Sequence, residues 1–403
     1  MQRSKTPRLL DPERALNESL STRNNSLNFL RLVLASTVLL SHAAGLAADK
    51  NWVLYFNGTS AAQIALYGFF ALSGYLVAQS AARSKPFSYL WKRTLRIFPG
   101  LIGCLIITAF GFGIIYWFHG NHPCGLSCYF HSKDSPVKYV IKNALLANPF
   151  WVQHTISGTP VSYIPAWNAS LWTLFYEFSC YLIVMVLSII GFLRRRIFTL
   201  IITVALWLTV TVITVTPSFS IHFNFFVYIS IEDILRFGVI FLTGSTMYLY
   251  RDRVPDSGWL AIGSAGIYIL GILFPIWTVG TVPTLEFTPI DIATPFIVYP
   301  LLWLGVHLPF RGVGQRNDYS YGIYIYGWPI TQLLIMWDLH RHGVVTFEVL
   351  ALGATIPFAA ASWWLIERPS LMLKNWKIPS LRKPRPNDTG NEGRVIERAS
   401  STP

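Results

Sequence analysis

The chain has 403 residues, 53% of them hydrophobic and 13% charged, with a formal net charge of +13. About a quarter of a typical soluble chain is charged, so this one cannot cover a soluble surface, and disordered, collagen-like and disulfide-stapled secreted classes are excluded as well. Its 15 Trp, 19 Tyr and 27 Phe suit an outer face that meets lipid. The basic residues crowd the tails and the short connectors between apolar runs, and no basic helix, finger or aromatic-interleaved domain is present, which argues against nucleic acid as a partner.

Residues 1–26 are polar and carry Arg3, Lys5, Arg8, Arg14 and Arg23, which reads as a cytoplasmic tail rather than a cleavable signal. Spanning a bilayer takes about 20 mostly apolar residues. Ten runs approach that length, at 27–47, 61–82, 95–118, 170–191, 197–215, 230–250, 258–276, 289–309, 321–338 and 345–366. The predicted fold is therefore all-α, a polytopic membrane bundle of about ten transmembrane helices. Ten spans return the second terminus to the side of the first, and the charges agree. Arg83, Lys85, Lys92, Arg93, Arg194 to Arg196, Arg251, Arg253, Arg311 and Arg316 fall in alternate connectors, so both termini are expected in the cytoplasm. The one long connector, 119–168, reads as a cap over the outer mouth of a membrane domain at 27–369, and 370–403 as a largely disordered basic tail. Cys124 and Cys128 share that connector, and their pairing is left open. His119, His122, His131 and His154 lack metal-ligand spacing, so no metal site is assigned.

Ionisable groups at bilayer depth are costly and mark function by default. In the first run Arg31 and His42 are eleven residues apart, which puts them on one helix face about 16 Å apart along the axis. Glu177, counted from the start of the fourth run, falls at a depth comparable to His42; a carboxylate beside an imidazole equips it as a general base. Arg93 and Arg96 share one helix surface at the start of the third run, where guanidinium forks suit phosphates. Ser73 and Gly74 let a slender ligand or a neighbouring helix come close. Each has a plainer alternative: an interface histidine, an interhelical bond for Glu177, headgroup contact for the arginines, helix packing for Gly74. Arg236 with Glu232 and Asp233 reads as an internal ion pair, and Glu367 and Arg368 before Pro369 as a helix stop.

Seven motifs in order carry a resemblance. They are NFLR ending at Arg31 with SH at His42, FFALSG at Phe69–Gly74, RTLRIFP at Arg93–Pro99, NASLWTLFYEF at Asn168–Phe178, RFGVIFLTG at Arg236–Gly244, SYGIYIYGWP at Ser320–Pro329 and IERP at Ile366–Pro369. From Asn28 to Pro369 the chain resembles the acyltransferase-3 family of integral-membrane acyltransferases, which modify surface glycans and other extracytoplasmic acceptors. The resemblance implies a bacterial inner-membrane enzyme that moves an acyl group, usually acetyl, from acyl-CoA to a hydroxyl, with no tightly bound cofactor. It matches Arg31 and His42 to the family's essential pair, Arg93 and Arg96 to its paired arginines and Glu177 to its motif glutamate. Asn168, Ser170 and Trp172 become candidate acceptor-binding residues, and Arg31, Arg93, Arg96, Ser73 and Gly74 candidate donor-binding ones. Many members have His before the proline where this chain has Gly327 and Trp328, so that motif is given no catalytic part. The competing class is a transporter or exporter of a small carboxylate or acylated metabolite, which would use the same buried charges as a pathway.

Overall fold

The computed structural model describes residues 10–15, 20, 25–47, 55–56, 59–120, 125–146, 160, 166–216, 231–273 and 289–375. Its helices are α1 (Leu27–Leu46), α2 (Ala61–Ala82), α3 (Pro86–Ile107), α4 (Gly113–His119), α5 (Leu126–His131), α6 (Pro136–Ala144), α7 (Trp172–Ile189) and α8 (Arg196–Val215). They continue with α9 (Ile231–Leu249), α10 (Gly258–Leu273), α11 (Pro289–Ala293), α12 (Val298–His307), α13 (Ser320–Met336), α14 (Val344–Ser362) and α15 (Arg368–Met372). Four short strands pair antiparallel in twos, β1 (Leu10–Ala15) with β4 (Pro255–Ser257) and β2 (Tyr55–Phe56) with β3 (Thr59–Ser60). The β1–β4 pair ties the amino-terminal segment to the connector after α9. The chain is a helical membrane bundle.

Among the described residues seven helices are long and apolar enough to cross a membrane, at 27–46, 61–82, 86–119, 169–189, 196–215, 290–307 and 344–372. The expected count of ten is not reached, although helices form at the three other runs. Helix α9 carries Glu232, Asp233 and Arg236, while α10 and α13 have 16 and 17 residues, somewhat short of the usual span of about 20. Two boundaries move because helix continues through proline. Pro86 opens α3 at a position where its missing N–H costs nothing, and Pro99 is absorbed inside it, so this helix starts nine residues before the apolar run. Arg93 and Arg96 are thus well inside α3 rather than at its start. The expected stop at Glu367–Pro369 is also absent: α14 passes through a π-turn, Trp363–Glu367, into α15.

Helix α2 is the axle of the bundle, buried against α1, α7 and α9. Its crossing with α9 is close because both helices bring glycine to the contact. A Cβ on Gly74 would lie 2.0 Å from the Phe241 carbonyl oxygen, and one on Gly244 2.4 Å from the Ala71 carbonyl oxygen. Ser245 Oγ donates to the Gly74 carbonyl at 3.0 Å across the same seam. A second seam joins α13 to α1 and α14, where Gly327 meets Leu39 and Gly322 meets Ala359. Helices α5 and α6, from the long connector, sit near the α3–α4 junction, and the buried Tyr129 hydroxyl donates to the Ala109 carbonyl at 2.5 Å. Cys128 is disulfide-bonded, Cys104 and Cys180 are free and buried, and Cys124, His122 and His154 lie outside the described residues. So do most of the two tails and much of 119–168.

Candidate active site

Helices α1, α3 and α13 begin, and α2 ends, at one end of the bundle, and there the basic residues of the sequence reading converge. A narrow cavity of about 80 Å³ opens among α1, α2, α3, α7 and α13, lined by Arg31, Arg93, Arg96, Ser73 and Glu177 together with Phe69, Thr173, Tyr181, Ser320, Tyr321 and Tyr324. On α2 the lining runs from Val77 to Leu66, eleven residues or about 16 Å, so the cavity lies lengthwise in the bundle. Its volume holds a few waters, not an extended chain.

The three guanidiniums are held differently. Arg31 Nη1 and Arg96 Nη2 both meet Asp318 Oδ2, at 2.7 and 2.5 Å. Arg96 also lies 3.8 Å from Glu367, which is only 2% exposed and accepts from Ser362 Oγ at 3.0 Å. Arg93 makes no ion pair among the described residues; its guanidinium stands over the Tyr181 ring at 5.8 Å, and its buried Nε has no hydrogen-bond partner. Asp318 is fixed in turn by Ser320, whose N–H and hydroxyl donate to Oδ1 at 3.3 and 2.6 Å. Burial would raise the Asp318 pKa, but Arg31, Arg96 and these hydrogen bonds outweigh it and hold the carboxyl well below its usual range.

Sequence reasoning missed Asp318 altogether, having read its connector only for Arg311 and Arg316. The available signal was Asp-x-Ser at the head of a helix, a local hydrogen-bonding pattern. Glu367 was read as the marker of a helix stop, whereas the π-turn turns it inward toward Arg96.

Glu177 is not at the depth of His42. It accepts from Tyr181 at 2.5 Å and from Ser73 Oγ at 3.4 Å. Gly68 on α2 faces Leu34 on the antiparallel α1, so Ser73 stands near the level of residues 29–31, the depth of Arg31. The error has a physical cause: the chain enters the fourth span already deep in the bundle. Asn168 Nδ2 donates to the Ile325 carbonyl at 2.6 Å, Ser170 Oγ donates to Asn168 Oδ1 at 2.8 Å, and the Tyr324 hydroxyl donates to the Ser170 carbonyl at 2.7 Å. Thr173 and Tyr324 join through their hydroxyls. Counting residues from the helix start therefore misplaces everything after it.

His42 does not line the cavity. By the same α1–α2 pairing it lies about six residues, or about 9 Å, beyond the Leu66 end. There its ring meets Trp328 edge-on, centroids 4.9 Å apart, and Trp328 is one turn past Tyr324 on α13. Gly74 also stays off the cavity, since its bare face is filled by α9. Asn168, Ser170 and Trp172 likewise belong to the packing that seats α7: Asn168 is fully buried and Trp172 packs on Tyr176 and Phe237. The internal ion pair at Arg236 is present, to Asp233 at 3.0 Å, and is extended to Asp291 at 2.8 Å, which also accepts from the Tyr67 hydroxyl.

Comparison with known proteins adds the chemistry. The family model described as "Acyltransferase domain" matches residues 24–366. The chain is 30% identical over 365 residues to an "O-acetyl transferase" of Shigella phage Sf6, covering 88% of this chain and 98% of that protein. It is 28% identical over 392 residues to "Nodulation protein 10" of Rhizobium leguminosarum bv. viciae, covering 89% and 96%. No solved structure gives a significant match. With the family matched across almost the whole helical bundle, this chain belongs to the acyltransferase-3 family and is a membrane acyltransferase.

Proposed function

We propose that the enzyme takes an acetyl group from acetyl-CoA on the cytoplasmic side of a bacterial inner membrane and transfers it to a hydroxyl of an extracytoplasmic glycan or lipid-linked glycan. One observation carries this reading: a lengthwise cavity with three arginines at one end, pointing along α1 toward His42. The phage relative's name, O-acetyl transferase, supports acetyl as the group and oxygen as its destination.

The basic end faces the cytoplasm in this reading, with both termini on that side. Arg93, with no ion pair among the described residues, takes a phosphate of the donor directly, and Arg31 and Arg96 add to the same field. The pantetheine arm then lies along α2, where Ser73 and Glu177 offer polar contacts to its amides. His42 acts beyond the cavity's present end. Its imidazole removes the proton of the acceptor hydroxyl as the oxygen attacks the thioester carbonyl. The C–O bond forms, the C–S bond breaks, and the proton passes from the imidazolium to the departing thiolate. In the arrangement described here Glu177 does not orient His42, so its part is along the donor path. The cavity must lengthen by about 9 Å past Leu66 for the thioester to arrive.

Mass spectrometry of envelope glycans from a deletion strain tests the function. An acetyl mass lost on deletion, restored by the wild-type gene and not by His42→Ala, is expected. Unchanged glycan acetylation, with substrate flux through liposomes and no acylated product, would instead favour the exporter.

A further inference from the structure

The arginine end of the cavity adjoins a second and larger space. An open recess of about 580 Å³ is lined by the connector Gly312–Ser320 with Asn28 and Leu32 of α1. Asp318 and Ser320 line the recess, and Ser320 lines the buried cavity too. The bridge from Arg31 through Asp318 to Arg96 is therefore the partition between them. The connector is pinned in place. Gly314 adopts φ +72°, a Cβ there would lie 2.7 Å from Asn28 Cβ, and its carbonyl accepts from Asn28 Nδ2 at 2.9 Å.

Charge makes this partition more than a wall. Arg31 and Arg96 already share the Asp318 carboxylate, so in the closed site these two guanidiniums have little attraction left for an anion. One carboxylate oxygen receives both Arg31 and Arg96, the bridging arrangement that a phosphate oxygen also adopts between two guanidiniums. The cavity behind it is too small for any extended ligand as it stands. An entering phosphate ester would find its two cations already occupied, and the narrow cavity beyond them bordered by the same residue's bridge.

We propose that Asp318 is an internal stand-in for a ligand phosphate: it latches Arg31 to Arg96, and a phosphate ester arriving through the recess displaces it, taking the two arginines and opening the cavity. This rests on the donor reading above, and it adds a gate that senses the donor before the thioester can enter. A latch closed most of the time weakens apparent affinity by the fraction of molecules that are open.

The test is equilibrium binding of coenzyme A to the purified full-length protein, as wild type, Asp318→Asn and Ser320→Ala. The Asn variant keeps the shape and one acceptor oxygen for Ser320, but its amide NH2 cannot accept from Arg31 and Arg96 and the charge is gone, so it is expected to bind about tenfold more tightly or better. Ser320→Ala keeps every charge and removes only the hydroxyl that fixes Asp318; a smaller tightening is expected, so the proposal stays testable if the first variant folds poorly. Equal or weaker binding in both variants overturns the latch, because a residue that merely positions the arginines would lose affinity when changed. Tightening toward phosphatidylglycerol vesicles without tightening toward coenzyme A would assign the site to a lipid headgroup and overturn the donor gate. If wild type binds coenzyme A and the variants bind no better, only the latch falls; if none binds, the donor reading falls with it.

Discussion

Gly74→Ala separates a packing role from a place on the donor path. The added methyl would lie 2.0 Å from the Phe241 carbonyl oxygen, more than 1 Å inside ordinary contact, and the obstacle is helix backbone that cannot swing aside. Helices α2 and α9 must separate, at the cost of about 1–3 kcal/mol for overpacking. Separation also stretches the Ser245 to Gly74 hydrogen bond, worth about 0.5–1.5 kcal/mol. Alanine's better helix propensity returns about 0.5–1 kcal/mol, leaving a net loss of about 0.5–4 kcal/mol. Gly238, on the same α9, has nothing within 4 Å of an added Cβ, so Gly238→Ala should be neutral or stabilising. Thermal unfolding in detergent reads the stability and acyl-transfer kinetics on the folded fraction read the path. Lower thermal stability with an unchanged KM for the donor is expected. Normal stability with a raised donor KM would refute the assignment of Gly74 to packing.

Other outcomes follow from the same geometry. Arg93→Ala should raise the donor KM about tenfold or more with a smaller change in kcat, because it removes the cavity guanidinium that makes no ion pair among the described residues; steady-state kinetics at two salt concentrations check this, high salt weakening wild type more than the variant. Asn168→Ala should lower stability by about 1–3 kcal/mol by leaving the buried Ile325 carbonyl only the weak Cys104 thiol as donor, and thermal unfolding reads it; an acceptor KM effect with no loss of stability would return Asn168 to the acceptor. Ser73→Leu should fill the cavity and block transfer while the fold survives, visible as a monodisperse but inactive protein. The pH response of the latch has a definite sign. Since the folded Asp318 pKa is depressed, its contribution is fully present above the unfolded value of about 3.9. That contribution is lost only as pH falls below this toward the folded value. Tighter coenzyme A binding by Asp318→Asn than by wild type should then persist at pH 5.5 as at pH 8, and its disappearance at pH 5.5 would contradict the ionised latch.

Much of the bundle was legible because apolar length is a local property: α2 has the expected bounds, 61–82, α1, α7, α8 and α9 differ by one or two residues, and the run 289–309 appears as a span at 290–307 that joins α11 to α12. Arg31, Arg93, Arg96, Ser73 and Glu177 do meet in one cavity, as charges with no place in lipid must. What failed depends on partners. Gly74 faces α9 rather than the cavity because its opposite is Phe241 backbone, which no single-helix pattern contains. Glu177 stands at the level of Arg31 because Asn168 and Ser170 anchor the head of α7 deep in the bundle. Asp318 sat in a connector read for its positive charge, and its importance arises only when α1 and α3 bring two arginines to it.

The far-end imidazole of His42 performs the transfer for which the arginine end collects the donor. Labelled acetyl from acetyl-CoA, given to purified full-length enzyme with its envelope glycan acceptor, measures this in a single turnover. Rapid labelling of the glycan by wild type is expected, with His42→Ala retaining coenzyme A binding but transferring nothing above background. Wild-type transfer by His42→Ala would contradict the mechanism outright.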